Sequence, residues 1–259
     1  MFHLVFSYFL HLIKSFHLHG IHSPFIFQLE KKCLRDNQLY EGYEKLSRFR
    51  NSIKNSKLIL NIEDHGAGSR VLKTNLRAVK DILKHNCSTE KDAQLLYRLC
   101  TYFKVNQVLE LGTSLGIATH AMATARPQAK ITTVEGSVSI YELAKKALVK
   151  EGLKNVYTVH STFKNFFETR KEDRTKYDLI FIDGHHSGEA TLQYFESILD
   201  RVHNDTVVVF DDIYWSEDMT RAWNEICKHS KVTASVDCFD FGMVFFRKEQ
   251  LQERFYVKL

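Results

Sequence analysis

Glu110-Leu111-Gly112-Thr113-Ser114-Leu115-Gly116 spaces one acid and two glycines as E-x-G-x-x-x-G, between an apolar run (Asn106 to Leu111) and a helix-like stretch from Ile117. A strand feeding a glycine loop and a helix binds small ligands outside the strand's carboxyl end. Free loop amides and a helix N-terminus there suit an anionic group. The spacing departs from the G-x-G-x-x-G that seats a dinucleotide pyrophosphate, which makes a nucleotide-dependent oxidoreductase the weaker reading. Twenty-five positions after Glu110, Glu135 ends a second strand ahead of Gly136. An acid so placed can accept both hydroxyls of a ribose, or can simply be an exposed strand end. Val159-His160-Ser161 ends a third strand, with Ser161 either a ligand contact or a helix cap. Phe181-Ile182-Asp183-Gly184-His185-His186 ends a fourth and Phe210-Asp211-Asp212-Ile213-Tyr214-Trp215 a fifth. Carboxylates clustered after buried strands are costly to leave unpaired, which favours a site over chance.

The elements that must position these residues alternate regularly. Strands are expected at Ile131 to Glu135, Val156 to His160, Tyr177 to Asp183 and Thr206 to Asp211, with helices over Ser137 to Glu151, up to Leu199, and Met219 to His229. Leu143, Ala144, Ala147 and Leu148 share one face of the first of these helices. Lys231 to Asp237 and Phe241 to Arg247 close the chain as two strands with no helix between them. Strand–helix alternation implies a doubly wound, mostly parallel sheet, and the terminal pair adds an antiparallel member.

Ahead of this core, Phe2 to Phe16 reads as an amphipathic helix packed on the domain or on a second subunit. A membrane-surface helix is the competing reading, but the polar face is rich in His and not in Lys or Arg. Ser23 with Pro24 starts a helix running to about Leu34, and Glu41 to Ile53 forms another. His17, His19 and His22 could bind a metal, yet no Cys or carboxylate shares their spacing. Leu58 to Ile62 is strand-like and leads into Glu63-Asp64-His65-Gly66-Ala67-Gly68-Ser69, which imitates a cofactor loop. Asn75 to Lys84 then looks helical, so a turn before a helix is the better reading. Thr89 with Asp92 three residues on is a capping pair for a helix to Tyr102. The expected division is a helical extension over 1–88 and a catalytic domain over 89–259.

A chain of 259 residues, 44% hydrophobic and with only two prolines, fits one large α/β domain, or one domain plus a helical appendage. Its net charge of +5, with acids interspersed, makes no nucleic-acid case. Five scattered cysteines without C-x-x-C favour reduced thiols and a cytoplasmic setting over a disulfide frame. The apolar run from Met1 to Ile13 is too short for stable membrane insertion, which needs about 20 residues.

The glycine loop resembles the first motif of the class I S-adenosylmethionine-dependent methyltransferases, and the strand order is similar to their seven-stranded sheet. From about Asp92 to Arg247 the chain resembles the catechol and caffeoyl-CoA type of O-methyltransferase, the cation-dependent branch. Asp92-Ala93-Gln94-Leu95-Leu96 resembles that family's G-Q-F-L helix. Asp183 falls on the metal-binding Asp of its F-x-D-x-x-K motif, and Asp211-Asp212-Ile213-Tyr214-Trp215 on its D-N-x-L-W. The resemblance implies cofactor contacts from Glu110, Gly112, Thr113, Ser114, Gly116, Glu135, Gly136, Ser161 and Asp183. It also implies a divalent ion, Mg²⁺ or Mn²⁺ for an all-oxygen set, on Asp183, Asp211 and Asp212.

Two departures matter. The family's Asn is Asp212 here, and its catalytic Lys position is His186. A histidine, with an unperturbed pKa of about 6.5, is a credible general base. His185 and His186 could also donate a nitrogen to a metal or line the pocket. D-G-x-H after this strand also resembles a broader bacterial methyltransferase group, so metal-assisted and metal-free transfer both stay open. The implied activity is O-methylation of a small hydroxylated acceptor, with Asp183 and His186 as catalytic candidates and the N-terminal arm as lid or homodimer contact. The alternative is a catalytically silent cofactor-binding or interaction module on the same fold.

Overall fold

The computed structural model describes residues 2–15, 22–63 and 74–259. Phe16, His17, His19 and the Asp64-to-Ser69 part of the glycine turn lie outside the described residues. Helix α1 (Phe2–Lys14) is followed by α2 (Pro24–Leu29), which runs on as a π-helical turn, Glu30–Leu34. Then come α3 (Glu41–Lys54), an antiparallel pair β1 (Ile59–Asn61) and β2 (Leu76–Ala78), α4 (Val79–His85) and α5 (Glu90–Tyr102). The alternating part is β3 (Gln107–Leu111), α6 (Ile117–Ala125), β4 (Lys130–Glu135), α7 (Val138–Lys150), β5 (Val156–His160) and α8 (Phe163–Glu168). It continues through β6 (Leu179–Ile182), α9 (Gly188–Ile198), β7 (Val207–Asp211) and α10 (Glu217–Lys228), and ends in β8 (Ala234–Asp237), β9 (Phe241–Phe245) and β10 (Glu253–Tyr256).

The fold is the expected mostly parallel α/β sheet with flanking helices, but it has eight strands and not seven. The addition is β10, which pairs parallel to β8. Residues 76–78, expected to be helical, form β2 instead, because they pair with residues 59–61.

Two compact units divide the chain, residues 37–171 and residues 1–36 with 172–259. The first holds the parallel strands β3, β4 and β5, with Val108 opposite Ile131 and Ile131 opposite Val156. Leu46, Phe49, Val79, Ile82 and Leu83 share one buried core with Ile117, Ala121 and Leu148. Residues 37–88 contribute to this core, and the compact units part after residues 36 and 171. Apolar side chains from α3 and α4 fill the same interior as α6 and α7, and that shared burial sets the boundary. The Thr89–Asp92 capping box is present: each residue's side chain accepts from the other's backbone N–H.

The second unit orders its strands β10-β8-β9-β7-β6. β6 and β7 are parallel, and β9 lies antiparallel to both β7 and β8. Ser23 caps α2 as expected, with Pro24 in its first turn. Helix α1 turns its polar side inward. Its buried residues are Ser7 and His11, while Phe2, Phe6, Phe9 and Ile13 are 95%, 65%, 60% and 80% exposed. The reason is a polar anchor at Asp237, which is wholly buried. Its carboxylate lies 3.0 Å from His11 Nδ1 and accepts from Tyr214 (2.8 Å), Trp223 (3.2 Å) and Arg254 (3.0 Å). A buried charge this well partnered fixes α1 by its polar side. Although burial opposes it, the His11, Tyr214 and Arg254 contacts hold the Asp237 carboxyl below the usual carboxylate range.

Candidate functional site

In the unit of residues 37–171, the strands β3, β4 and β5 and the turns after them carry the expected cofactor residues other than Asp183. Glu110 is wholly buried within β3 and accepts a hydrogen bond from the Thr119 hydroxyl on α6, so it ties the strand to the helix after the loop. Gly112 (φ 109°) and Gly116 (φ 79°) take left-handed backbone, the first to leave the strand and the second to enter α6. That geometry is why glycine stands at both positions. Ser114 shares it at φ 46°, a strained place for a side chain.

The loop amides are not free, contrary to the sequence expectation. Gly112 N–H and Thr113 N–H both donate to the Val134 carbonyl at 3.0 and 3.3 Å. Gly116 N–H donates to Thr113 O at 2.8 Å, and Ser114 N–H to Glu135 Oε2 at 3.0 Å. The backbone of the neighbouring strand holds the loop, and an anion there would have to displace those bonds. Glu135 itself accepts a second bond, from Ser137 N–H at 2.9 Å, so its carboxylate closes the loop region from below. Thr113 Oγ1 lies 2.6 Å from Thr133 Oγ1. Ser161 N–H donates to Glu135 O at 3.0 Å, while Thr162, one residue on, caps α8. The carbonyl of Gly136 meets His160 Nε2 at 3.1 Å. Asn86 and Cys87 were not foreseen. The Asn86 carbonyl accepts from Ser114 Oγ at 3.0 Å, and Cys87 Sγ lies 3.3 Å from it. Both sit in an irregular turn whose sequence gives no sign of this contact.

In the other unit, the carboxyl ends of β6 and β7 carry Asp183, His185, His186, Asp211 and Asp212. His185 (φ 71°), His186 (φ 39°) and Asp212 (φ 54°) all hold left-handed backbone. Three non-glycine residues in two short turns hold this costly conformation, as do Lys104 and Phe239 elsewhere. His186 Nδ1 lies 3.8 Å from Asp212 Oδ2, and its ring tilts over Trp215 at 5.3 Å. Asp212 is fixed by its backbone: its N–H donates to Asp240 O at 3.0 Å and its carbonyl accepts from Trp215 at 2.8 Å. The His185 ring meets Tyr194 edge-on at 6.1 Å. A half-exposed imidazole beside a carboxylate, covered by an indole, can take a proton from a nearby hydroxyl. Among the described residues, no three His, Cys, Asp or Glu side chains gather closely enough to hold a metal ion. Asp183, Asp211 and Asp212 do not gather into such a group.

Residues 109–213 match the family model described as Methyltransferase domain. No curated protein matches the chain. Among solved structures, it is similar to the SAH-bound methyltransferase PaMTH1 of Podospora anserina, with a TM-score of 0.60 and 14% identity over 88% of this chain and 97% of that one. An O-methyltransferase of Bacillus cereus in complex with SAH gives a TM-score of 0.58 and 16% identity, covering 85% of this chain and 100% of the other. The O-methyltransferase TomG of Streptomyces achromogenes, in complex with SAM, gives 0.58 and 17% over 85% and 99%.

Proposed function

We propose, for a chain whose residues 109–213 carry a methyltransferase domain, that it uses S-adenosylmethionine to methylate a hydroxyl of a small acceptor. The observation that carries the reading is that this match spans both the Gly112–Gly116 loop and the Asp183–Asp212 turns, which hold four of the described positive-φ non-glycine residues. The O-methyltransferases among the similar structures support oxygen as the acceptor atom. The cofactor residues proposed are Glu110, Gly112, Thr113, Ser114, Gly116, Glu135, Gly136, Ser161 and Asp183.

When bound, S-adenosylmethionine supplies an electrophilic methyl on a sulfonium. The chain's own task is to place an acceptor oxygen in line with it and to exclude water, which is a matter of orientation. His186 takes the hydroxyl proton as the oxygen becomes nucleophilic, and Asp212 steadies the imidazolium that forms. Trp215 covers the ring and limits solvent there.

The outward stripe of α1 supports a homodimer. Phe2, Phe6, Phe9 and Ile13 follow the 4-3-4 spacing of a helix–helix seam. With Val5, Leu10, Leu4 and Tyr8 beside them, they expose on the order of 800 Å², about what one partner of a standard interface buries. Among the described residues no helix is long and apolar enough to cross a membrane. All five cysteines are free thiols, which supports a cytoplasmic setting.

The test is calorimetric titration of the folded protein with S-adenosylmethionine, followed by turnover on a panel of phenols, catechols and hydroxy acids. Saturable binding and transfer to at least one hydroxyl are expected. No binding at millimolar ligand would overturn the reading, and binding without any transfer would leave a silent cofactor-binding module.

A further inference from the structure

The unit of residues 37–171 is strongly basic, with 22 Lys and Arg against 12 Asp and Glu. It holds a cavity of about 380 Å³ that the proposed reaction does not use. Its walls are α3 (Lys45, Arg48), the end of α6 (His120, Ala123, Thr124) and the turn entering β5 (Glu151 to Asn155). The glycine loop follows the carboxyl end of β3, whereas this cavity lies where the parallel strand β5 begins. The two are therefore at opposite ends of the sheet in this unit.

We propose that this cavity binds a small molecule carrying a phosphate group, held by Arg48, Lys154 and His120.

Arg48 and Lys154 bring two positive charges to the rim, and their sum matches a phosphate monoester, which carries about −1.5 to −2 at neutral pH. The guanidinium adds a planar fork suited to phosphate oxygens. Lys45 contributes less, because its ammonium is paired with Glu41 at 2.7 Å. His120 is only 2% exposed and stacks flat on Phe49 at 4.6 Å, so its ring cannot turn away from the cavity. Its Nε2 has Glu151 at 3.7 Å, beyond hydrogen-bonding distance, and its Nδ1 reaches Thr124 only at 3.5 Å. Burial, with a smaller push from Lys45, lowers its pKa to about 4, so it meets a ligand as a neutral N–H donor.

The carboxyl end of α6 would ordinarily repel an anion. Here Asn155 Nδ2 lies 3.2, 3.1 and 3.1 Å from the carbonyls of Ala123 in the last turn, Arg126 at the cap and Ala129 beyond it, which partly offsets that negative end. Ala123, Pro127 and Leu153 give the volume beyond a phosphate an apolar lining, so an organic remainder is expected on the ligand. Glu151 is the opposing charge, and it supplies the sharpest test.

The experiment titrates the intact protein with inorganic phosphate, with acetate at matched ionic strength as the control. Calorimetry and the His120 ring resonances are the readouts. Saturable phosphate binding that shifts the His120 signals is expected, with no saturation by acetate. Arg48→Ala with Lys154→Ala should weaken binding at least tenfold, and Glu151→Gln should tighten it several-fold. All three are surface positions, and an unchanged melting temperature verifies folding. Absence of saturation, an equal response to acetate, or equal affinity in the double variant and in Glu151→Gln would each overturn the proposal. S-adenosylmethionine affinity, measured in parallel, reports on the glycine loop and is expected to stay the same in every variant.

Discussion

Ser114 and Glu135 are joined across the ends of neighbouring strands: the Ser114 amide donates to Glu135 Oε2 at 3.0 Å, and the other carboxylate oxygen accepts from Ser137. One side chain thus holds the strained loop before any ligand arrives. Glu135→Ala is expected to lower both cofactor affinity and the stability of the ligand-free protein. Hydrogen bonds to a charged group are worth about 1.5–3 kcal/mol, so affinity should fall about tenfold or more, with a clear drop in melting temperature. Calorimetry and thermal unfolding on the same preparation check both. A loss of affinity at constant melting temperature would show that the bond to Ser114 does not hold the loop.

His186→Ala should reduce kcat by about 10² to 10⁴, the usual range for a general base, while S-adenosylmethionine affinity stays within twofold. Asp212→Asn should retain much more activity than Asp212→Val, because Asn tolerates the φ of 54° and a β-branched residue does not. Turnover is expected to persist in excess EDTA, since the aspartates do not gather as a metal site. Loss of activity in EDTA with recovery on adding Mg²⁺ or Mn²⁺ would restore the metal to the mechanism.

Acid stability should show the His120 ring directly. Its pKa falls from 6.5 to about 4 on folding, mainly through burial. The unfolded chain therefore binds the extra proton first, and stability is full above pH 6.5 and declines as pH drops toward 4. The loss across that window is about 3 kcal/mol. Denaturant unfolding at pH 7 and pH 5 measures it, and His120→Gln should flatten the dependence.

Asp237 predicts a second, more acidic loss. Burial opposes its ionisation, but His11, Tyr214 and Arg254 outweigh that and keep its pKa below 3.8 in the folded state. Its contribution is complete above about pH 4 and disappears as pH falls through the lowered value. Asp237→Asn leaves Arg254 without its charge partner and should cost about 3–5 kcal/mol. Proteolysis of the variant is expected to begin in α1, which depends on the same carboxylate through His11.

Phe9→Glu places a charge in the outward stripe of α1 without touching its anchored side. A dimer is expected to dissociate, seen by sedimentation, at unchanged melting temperature. A wild-type chain that sediments as a monomer at every concentration would remove the homodimer.

Much of the framework was legible because its signals are local. Ser23-Pro24 and Thr89 with Asp92 mark helix starts through bonds made within three residues, and both caps are present. The alternation from Gln107 to Lys228 follows hydrophobic period alone. What could not be read depends on distant partners. The Gly112 and Thr113 amides are taken by Val134, a residue on another strand, and nothing in the glycine spacing announces that. β10 is Glu-Arg-Phe-Tyr, too short and charged to stand out as a strand, and it exists because β8 offers it an edge. Helix α1 reads as packing on the domain or on a second subunit, and which side faces inward is set by the buried carboxylate of Asp237, more than 220 positions away.

The division of the chain bears on how it is made. Residues 37–171 are contiguous and can assemble while the ribosome is still adding later segments. The other unit needs residues 1–36 together with 172–259, so α1 is made before the strands it packs on and is seated after them. Until Asp237 and Arg254 emerge, His11 has no anchor. Truncations before residue 237 should therefore leave α1 unseated, seen as rapid amide exchange over Phe2–Lys14.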